Sequence, residues 1–177
     1  KKVILVDADI RKGTLSRTFG HTFGLTTYLS DDQCKVDDII RVDGLTKGVD
    51  FIPAGHQAPN PAELLMSKRL EILVSELRKR YDYVILDTTP LFAVADANVV
   101  ARVTDTTLFI IRVGVQTRSF LPTLERNYQD NRFKNMCIVL NDVDPEDPYK
   151  SNYGYGYGYG HHHTSKKGFI KRLRKRR

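Results

Sequence analysis

Three aspartates carry the chemistry this sequence can do. Asp7 and Asp9 stand two residues apart in 7-DADIR-11, directly after the apolar run 3-VILV-6. Asp87 opens 87-DTTP-90 directly after a second apolar run, 83-YVIL-86. A carboxylate just past a buried parallel strand faces the crevice at the sheet's carboxyl edge, where such sheets bind ligands. Three carboxylates on one crevice repel each other unless a cation is present. Mg²⁺ suits them, since it takes oxygen ligands and fills its remaining positions with waters and phosphate oxygens. The trio therefore points to a nucleotide-phosphate site, against a plainer reading in which Asp7 and Asp87 only cap helices or turns. Asn141, in 141-ND-142 after the run 136-MCIVL-140, is a weaker candidate whose amide can both donate to and accept from an adenine edge.

A second feature lies near the C-terminus, in 153-YGYGYGYGHHH-163. Tyrosine alternating with glycine suits an edge strand, an adhesive tail or a row of phosphate acceptors. The glycines disfavour a stable helix and keep the segment flexible. His161, His162 and His163 have no carboxylate or cysteine close in sequence, and they are not read as a metal site; His56 is read as a loop residue.

The elements that must position these residues alternate between strand and helix. Apolar runs at 3–6, 49–54, 83–86, 107–113 and 136–140 read as strands. The segment 60–80 reads as one helix, with Asn60 as N-cap, Pro61 in the first turn and Glu63 completing a capping box. Met66, Leu70, Leu73 and Leu77 repeat at four, three and four residues and define its buried face. Further helices are expected over 94–102 and 118–131. Strands that are apolar throughout and separated by helices imply an α/β fold, a parallel sheet with helices on both faces.

Composition bounds the rest. The chain has 177 residues, 41% of them hydrophobic, enough for one domain with a tail, and no apolar run approaches the length of a membrane span. No signal peptide is visible, and Cys34 and Cys137 lie in no ligand-like spacing, so they read as reduced cysteines. The net charge of +7 is unevenly placed: nine basic residues and no acidic ones fall between Lys150 and Arg177, leaving residues 1–149 slightly acidic. Such a tail suits an anionic lipid surface, nucleic acid or an acidic partner, or serves only for solubility. The expected division is a domain over 1–148 and a flexible tail over 149–177.

The run 3-VILVDADIR-11 resembles the Walker A′ motif of bacterial tyrosine kinases, the cytoplasmic kinase domains of capsule and exopolysaccharide assembly proteins, which are related to MinD- and ParA-type P-loop ATPases. The resemblance continues through 24-GLTTYLS-30, 52-IPAGHQAPNPAELL-65, the Walker B-like 81-YDYVILDTTP-90, 96-DA-97, 109-FIIRVGVQT-117 and 138-IVLNDVD-144, and it ends at the tyrosine cluster. Thr89 departs from it, standing where the family usually has proline in D-T-P-P; a slight change in loop rigidity is expected, with metal binding unaffected. No G-x-x-x-x-G-K-[ST] occurs in the sequence, and the chain opens inside a strand. It is therefore expected to be a fragment truncated after its P-loop, holding ATP poorly and inactive by itself.

The resemblance implies a role for each matching residue. Asp7 and Asp9 would organise Mg²⁺, with Asp7 the better acceptor for a tyrosine proton, and Asp87 would be the Walker B carboxylate. Arg11 would lie near the phosphates or the incoming tail, and Asn141 near the adenine of ATP. Tyr149, Tyr153, Tyr155, Tyr157 and Tyr159 would accept the γ-phosphate, each presented to a neighbouring subunit of a ring-like homo-oligomer. The implied partners are a transmembrane activator, on the same chain or a separate one, an opposing tyrosine phosphatase and the anionic face of the bacterial inner membrane; nucleic acid is not among them. Two rivals share some of these features. A MinD- or ParA-type switch ATPase has the carboxylates but no reason for a tyrosine cluster. A non-catalytic module with a nucleic-acid-binding tail leaves the three aspartates unexplained.

Overall fold

The computed structural model describes residues 1–18, 20, 22–90, 96–115 and 117–143. The chain divides after Asn141. Of the unit from Asp142 onward only Asp142 and Val143 are described, so the expected phosphate-accepting tyrosines and the three histidines lie outside the described residues.

The unit Lys1–Asn141 is an α/β fold carrying two sheets. Strands β1 (Val3–Asp7), β2 (Arg41–Thr46), β3 (Val49–Ile52) and β4 (Tyr83–Asp87) form the first, in the order β2-β3-β1-β4. β3, β1 and β4 run parallel, whereas β2 pairs antiparallel with β3, so the sheet is mixed where an all-parallel one was expected. No apolar run marks β2: its residues, RVDGLT, are largely polar and at least partly exposed, as an edge strand tolerates. Its hairpin turns at Lys47-Gly48, where Gly48 takes φ +84°. β5 (Thr107–Arg112) and β6 (Met136–Asn141) pair in parallel as the second sheet.

Helices α1 (Thr14–Thr18), α2 (Leu25–Ser30) and α3 (Val36–Ile39) fill the stretch between β1 and β2. The expected helix over 60–80 is broken in two, α4 (Pro61–Met66) and α5 (Lys68–Arg80), by Ser67 at φ −64°, ψ 152°. The break resets the helical phase. Leu70, Leu73 and Leu77 are fully buried as their spacing implies, but Met66 is 62% exposed and Leu65 takes the core position instead. Pro61 does open the helix, yet Asn60 makes no side-chain cap; its Nδ2 donates to Glu63 Oε2 (2.8 Å), so the two side chains satisfy each other. α6 (Asp96–Ala101) packs on α4, and a 3-10 turn (Arg118–Phe120) leads into α7 (Leu121–Gln129).

The core gathers Ile4 and Val6 of β1, Ile52 of β3, Leu25 and Leu29 of α2 and the apolar stripe of α5. Each such side chain contributes about 1.5–3 kcal/mol on leaving water. Arg69 ties α5 to α2: its guanidinium donates to the carbonyls of Tyr28 (2.6 Å), Asp31 (3.0 Å) and Cys34 (3.0 Å) and lies 4.2 Å over the Tyr28 ring. Some strand side chains among the described residues nevertheless face outward. Tyr83 and Ile85 of β4, Leu108 and Ile110 of β5, and Ile138, Val139 and Leu140 of β6 are all exposed.

Candidate active site

The fold brings Asp7 and Asp87 together. β1 and β4 are parallel neighbours in register Asp7↔Asp87, and the Ala8 amide donates to the Asp87 carbonyl (2.8 Å), joining the strands at their carboxyl edge. Asp9 follows on the same turn. Its Oδ1 accepts the Lys12 amide (3.1 Å), and the Gly13 amide donates to the Asp9 carbonyl (2.6 Å). Gly13 sits at φ +52°, a conformation that tightens this loop at little steric cost.

Asp7 is completely buried and fully engaged. Oδ1 accepts the Asp9 amide (3.2 Å), while Oδ2 accepts both the amide (2.9 Å) and the hydroxyl of Ser16. The Ser16 hydroxyl in turn accepts the Ala54 amide (2.6 Å), which fastens the end of β1 to the loop after β3. Ser16 was not a sequence candidate. A lone serine nine residues downstream gives no local signal, and only the return of α1 beneath the strand brings it to the carboxylate. With three donors on it, Asp7 is an anchor for the loop.

Asp87 differs: it lies at the exposed end of β4, and its pKa is raised. Partial burial is the largest cause, followed by the negative charges of Asp7 and Asp9, with the Thr88 amide opposing. A carboxylate raised by its acidic neighbours marks a position where a cation is favoured. Just beyond it, Thr89 is buried at 6% exposure, and its hydroxyl has no hydrogen-bond partner.

Arg11 turns to Asp96, donating from Nε to Oδ2 and from a terminal nitrogen to Oδ1 (3.0 Å). Asp96 opens α6, and its side chain is only 2% exposed. The fork pair ties the acidic loop to that helix, and the Asp9 charge also stabilises the guanidinium. Asn141 ends β6 in the second sheet, in register with Arg112, and is not placed by these strand pairings at the Asp7–Asp87 edge.

Among the described residues no three His, Cys, Asp or Glu side chains are grouped so as to hold a metal ion by themselves. The donor set nevertheless suits Mg²⁺, which needs only one or two carboxylates beside waters and phosphate oxygens. Asp9 and Asp87 are the open carboxylates. Two surface cavities, about 520 Å³ along α7 and β6 and about 320 Å³ around Tyr28 and Arg69, are not lined by any of the three aspartates.

The parallel αβ core and its strand-end carboxylates define the class of P-loop NTPase folds. A structure of the MinC:MinD cell division complex of Aquifex aeolicus matches with a TM-score of 0.60 at 16% identity, a likeness of fold alone. No family model matches the chain. Individual relatives are more telling. The Salmonella typhi tyrosine-protein kinase wzc is 34% identical over 145 residues, 81% of this chain and 20% of its own length. The Escherichia coli K12 tyrosine-protein kinase etk is 39% identical over 119 residues, 66% of this chain and 16% of its own length. The solved kinase domain of Escherichia coli ETK superposes with a TM-score of 0.72 at 34% identity, covering 89% of this chain and 60% of that one. The chain belongs to the bacterial tyrosine kinases, as part of their kinase domain. It spans about one fifth of the length of the curated relatives it matches.

Proposed function

We propose that this chain forms the magnesium-organising part of an ATP-dependent protein tyrosine autokinase. The activity is transfer of the γ-phosphate of ATP to C-terminal tyrosines of a neighbouring subunit, in the control of capsular or exopolysaccharide synthesis and export. The observation that carries the reading is the in-register pair Asp7 and Asp87 at the carboxyl edge of adjacent parallel strands, with Asp9 beside them. Mg²⁺ with ATP, when bound, supplies the phosphoryl group and neutralises its charge.

The protein's own residues divide the remaining work. Asp7, gripped by Ser16 and the Asp9 amide, holds the loop in place. Asp9 and Asp87 present carboxylate oxygens to the cation's shell. Arg11, forked to Asp96, fixes the far side of the loop. Both Asp7 oxygens already accept donors from Asp9 and Ser16, so Asp9 or Asp87 is the more accessible acceptor for the proton of the attacking tyrosine. That modifies the role which the family resemblance implies for Asp7. Positioning of this kind is most of what phosphoryl transfer asks of a protein.

The acceptors are Tyr149, Tyr153, Tyr155, Tyr157 and Tyr159. Each phosphate adds roughly −1.5 to −2 charges, so several of them offset most of the basic tail. Phosphorylation then weakens both ring assembly and attraction to the anionic inner leaflet, with a transmembrane activator and an opposing phosphatase setting the balance. Phosphotyrosine mass spectrometry on the protein isolated from its cells tests the reading. Phosphate on Tyr149–Tyr159 that disappears with Asp87→Asn is expected. ATP hydrolysis without phosphotyrosine would replace the kinase by a switch ATPase.

A further inference from the structure

Four buried hydroxyls in the described structure lack a hydrogen-bond partner: those of Thr26, Ser67, Thr89 and Thr107. An unpaired buried hydroxyl costs about 1–3 kcal/mol, so each asks for a reason. For two of them packing or a helix break gives the reason, and a third lies at the start of a strand. Thr26 is pressed against the backbone of Gly55, where a Cβ would come within 2.4 Å of the hydroxyl oxygen. Ser67 sits in the break between α4 and α5, and Thr107 begins β5 at its amino end. Thr89 alone follows directly on the acidic edge, two residues past Asp87, whose carbonyl holds β4 to Ala8.

Threonines elsewhere in this protein close such bonds locally. Thr18 donates to the Thr14 carbonyl (3.0 Å) and Thr104 to the Ala101 carbonyl (2.9 Å). Its neighbour Thr88 turns its hydroxyl back to the Thr89 carbonyl at 3.4 Å, whereas Thr89 does not close a bond of its own.

We propose that the Thr89 hydroxyl is a ligand-binding group of the acidic edge, kept without a protein partner so that it can hydrogen-bond an oxygen in the shell of a divalent cation. That oxygen belongs to a water or to a phosphate. The proposal rests on the magnesium reading of the site and adds Thr89 to it. Thr89 therefore does more than change loop rigidity: it tightens the hold on the cation's shell.

The test uses thermal unfolding of the 177-residue chain and its Thr89→Val and Thr89→Ser variants. Each is measured without ligand, with MgCl₂ against matched ionic strength in NaCl, and with MgCl₂ plus pyrophosphate. Valine keeps the shape and removes the hydroxyl, so T89V is expected to melt above the parent chain in the absence of ligand. It should then gain less from the cation, its apparent affinity being roughly 5–10-fold weaker for one lost hydrogen bond, while T89S keeps the parent's response. A response only when pyrophosphate is present identifies the oxygen as a phosphate's; a response to MgCl₂ alone identifies a water's. A T89V chain that melts below the parent without ligand overturns the proposal, since the hydroxyl then serves the fold. Equal gains for parent and T89V overturn it and leave the magnesium site standing. A parent chain that neither condition stabilises removes the magnesium reading, and this proposal with it.

Discussion

The two ends of the first sheet are built from the same residue types and treat them in opposite ways. At the amino end each carboxylate is matched. Asp50 accepts the Tyr81 hydroxyl (2.7 Å) and the Asp43 amide (3.0 Å), and Asp82 accepts the Lys2 amide (2.8 Å) with Lys1 alongside. At the carboxyl end Asp7 is gripped, but the Asp87 pKa is raised, by partial burial first and then by its acidic neighbours, and Thr89 has a hydroxyl without a partner. One end is optimised for holding the strands together. The other keeps unfavourable charge and unmet hydrogen-bonding capacity, a pattern expected where a ligand completes the structure.

The comparison breaks hardest at Asp7. Asp7→Ala strands the amides of Asp9 and Ser16 and the Ser16 hydroxyl, and a loss of roughly 3–5 kcal/mol is expected in urea unfolding. A loss under 1 kcal/mol would mean that Asp7 is no anchor. Next is Arg11→Ala, which leaves the buried Asp96 carboxylate unpaired and should lower the urea midpoint, by less than Asp7→Ala does; Arg11→Lys should recover only part, because it cannot form the fork.

Tyr81→Phe probes the amino end and should cost about 1 kcal/mol at neutral pH. Burial, then the hydrogen bond to Asp50, pushes the Tyr81 pKa up to about 12. The folded state therefore holds this proton more tightly than the unfolded chain does. Stability from this group is complete below the unfolded pKa of about 10 and is lost as pH rises from there towards 12. The phenylalanine variant should show a shallower alkaline limb over that window.

Asp87→Asn gives the smallest effect and the opposite sign. Its raised pKa means that ionisation is unfavourable in the fold, so stability falls as pH rises past the unfolded value of about 3.9. At neutral pH the variant should be more stable by less than about 1 kcal/mol, since solvent screens an exposed group. The gain should vanish below about pH 4, where the parent carboxyl is protonated in both states. A variant less stable than its parent at pH 7 would show that the carboxyl edge is not under electrostatic load.

Five strands were legible because their apolar runs are bounded by charged or polar turns, and Asp7 and Asp87 because each closes such a run. β2 was not, being a polar edge strand whose pairing is set by the turn at Gly48. The break at Ser67 was hidden because the leucine spacing of α5 extends formally to Met66, and only packing decides that Leu65 goes inward. Ser16 and the pairing of Arg11 with Asp96 depend on residues 9 and 85 positions apart. No local pattern records contacts of that kind.

The guanidinium of Arg69 occupies three carbonyls at and just beyond the end of α2. It acts there as the donors of a further helical turn would, although it arrives from another helix. α2, six residues long, would fray rapidly if left to itself. With its end closed from outside, it cannot open unless α5 lets go. The amides of the two helices should then exchange with solvent as one cooperative unit, at a rate set by α5, so that the shorter helix borrows the lifetime of the longer.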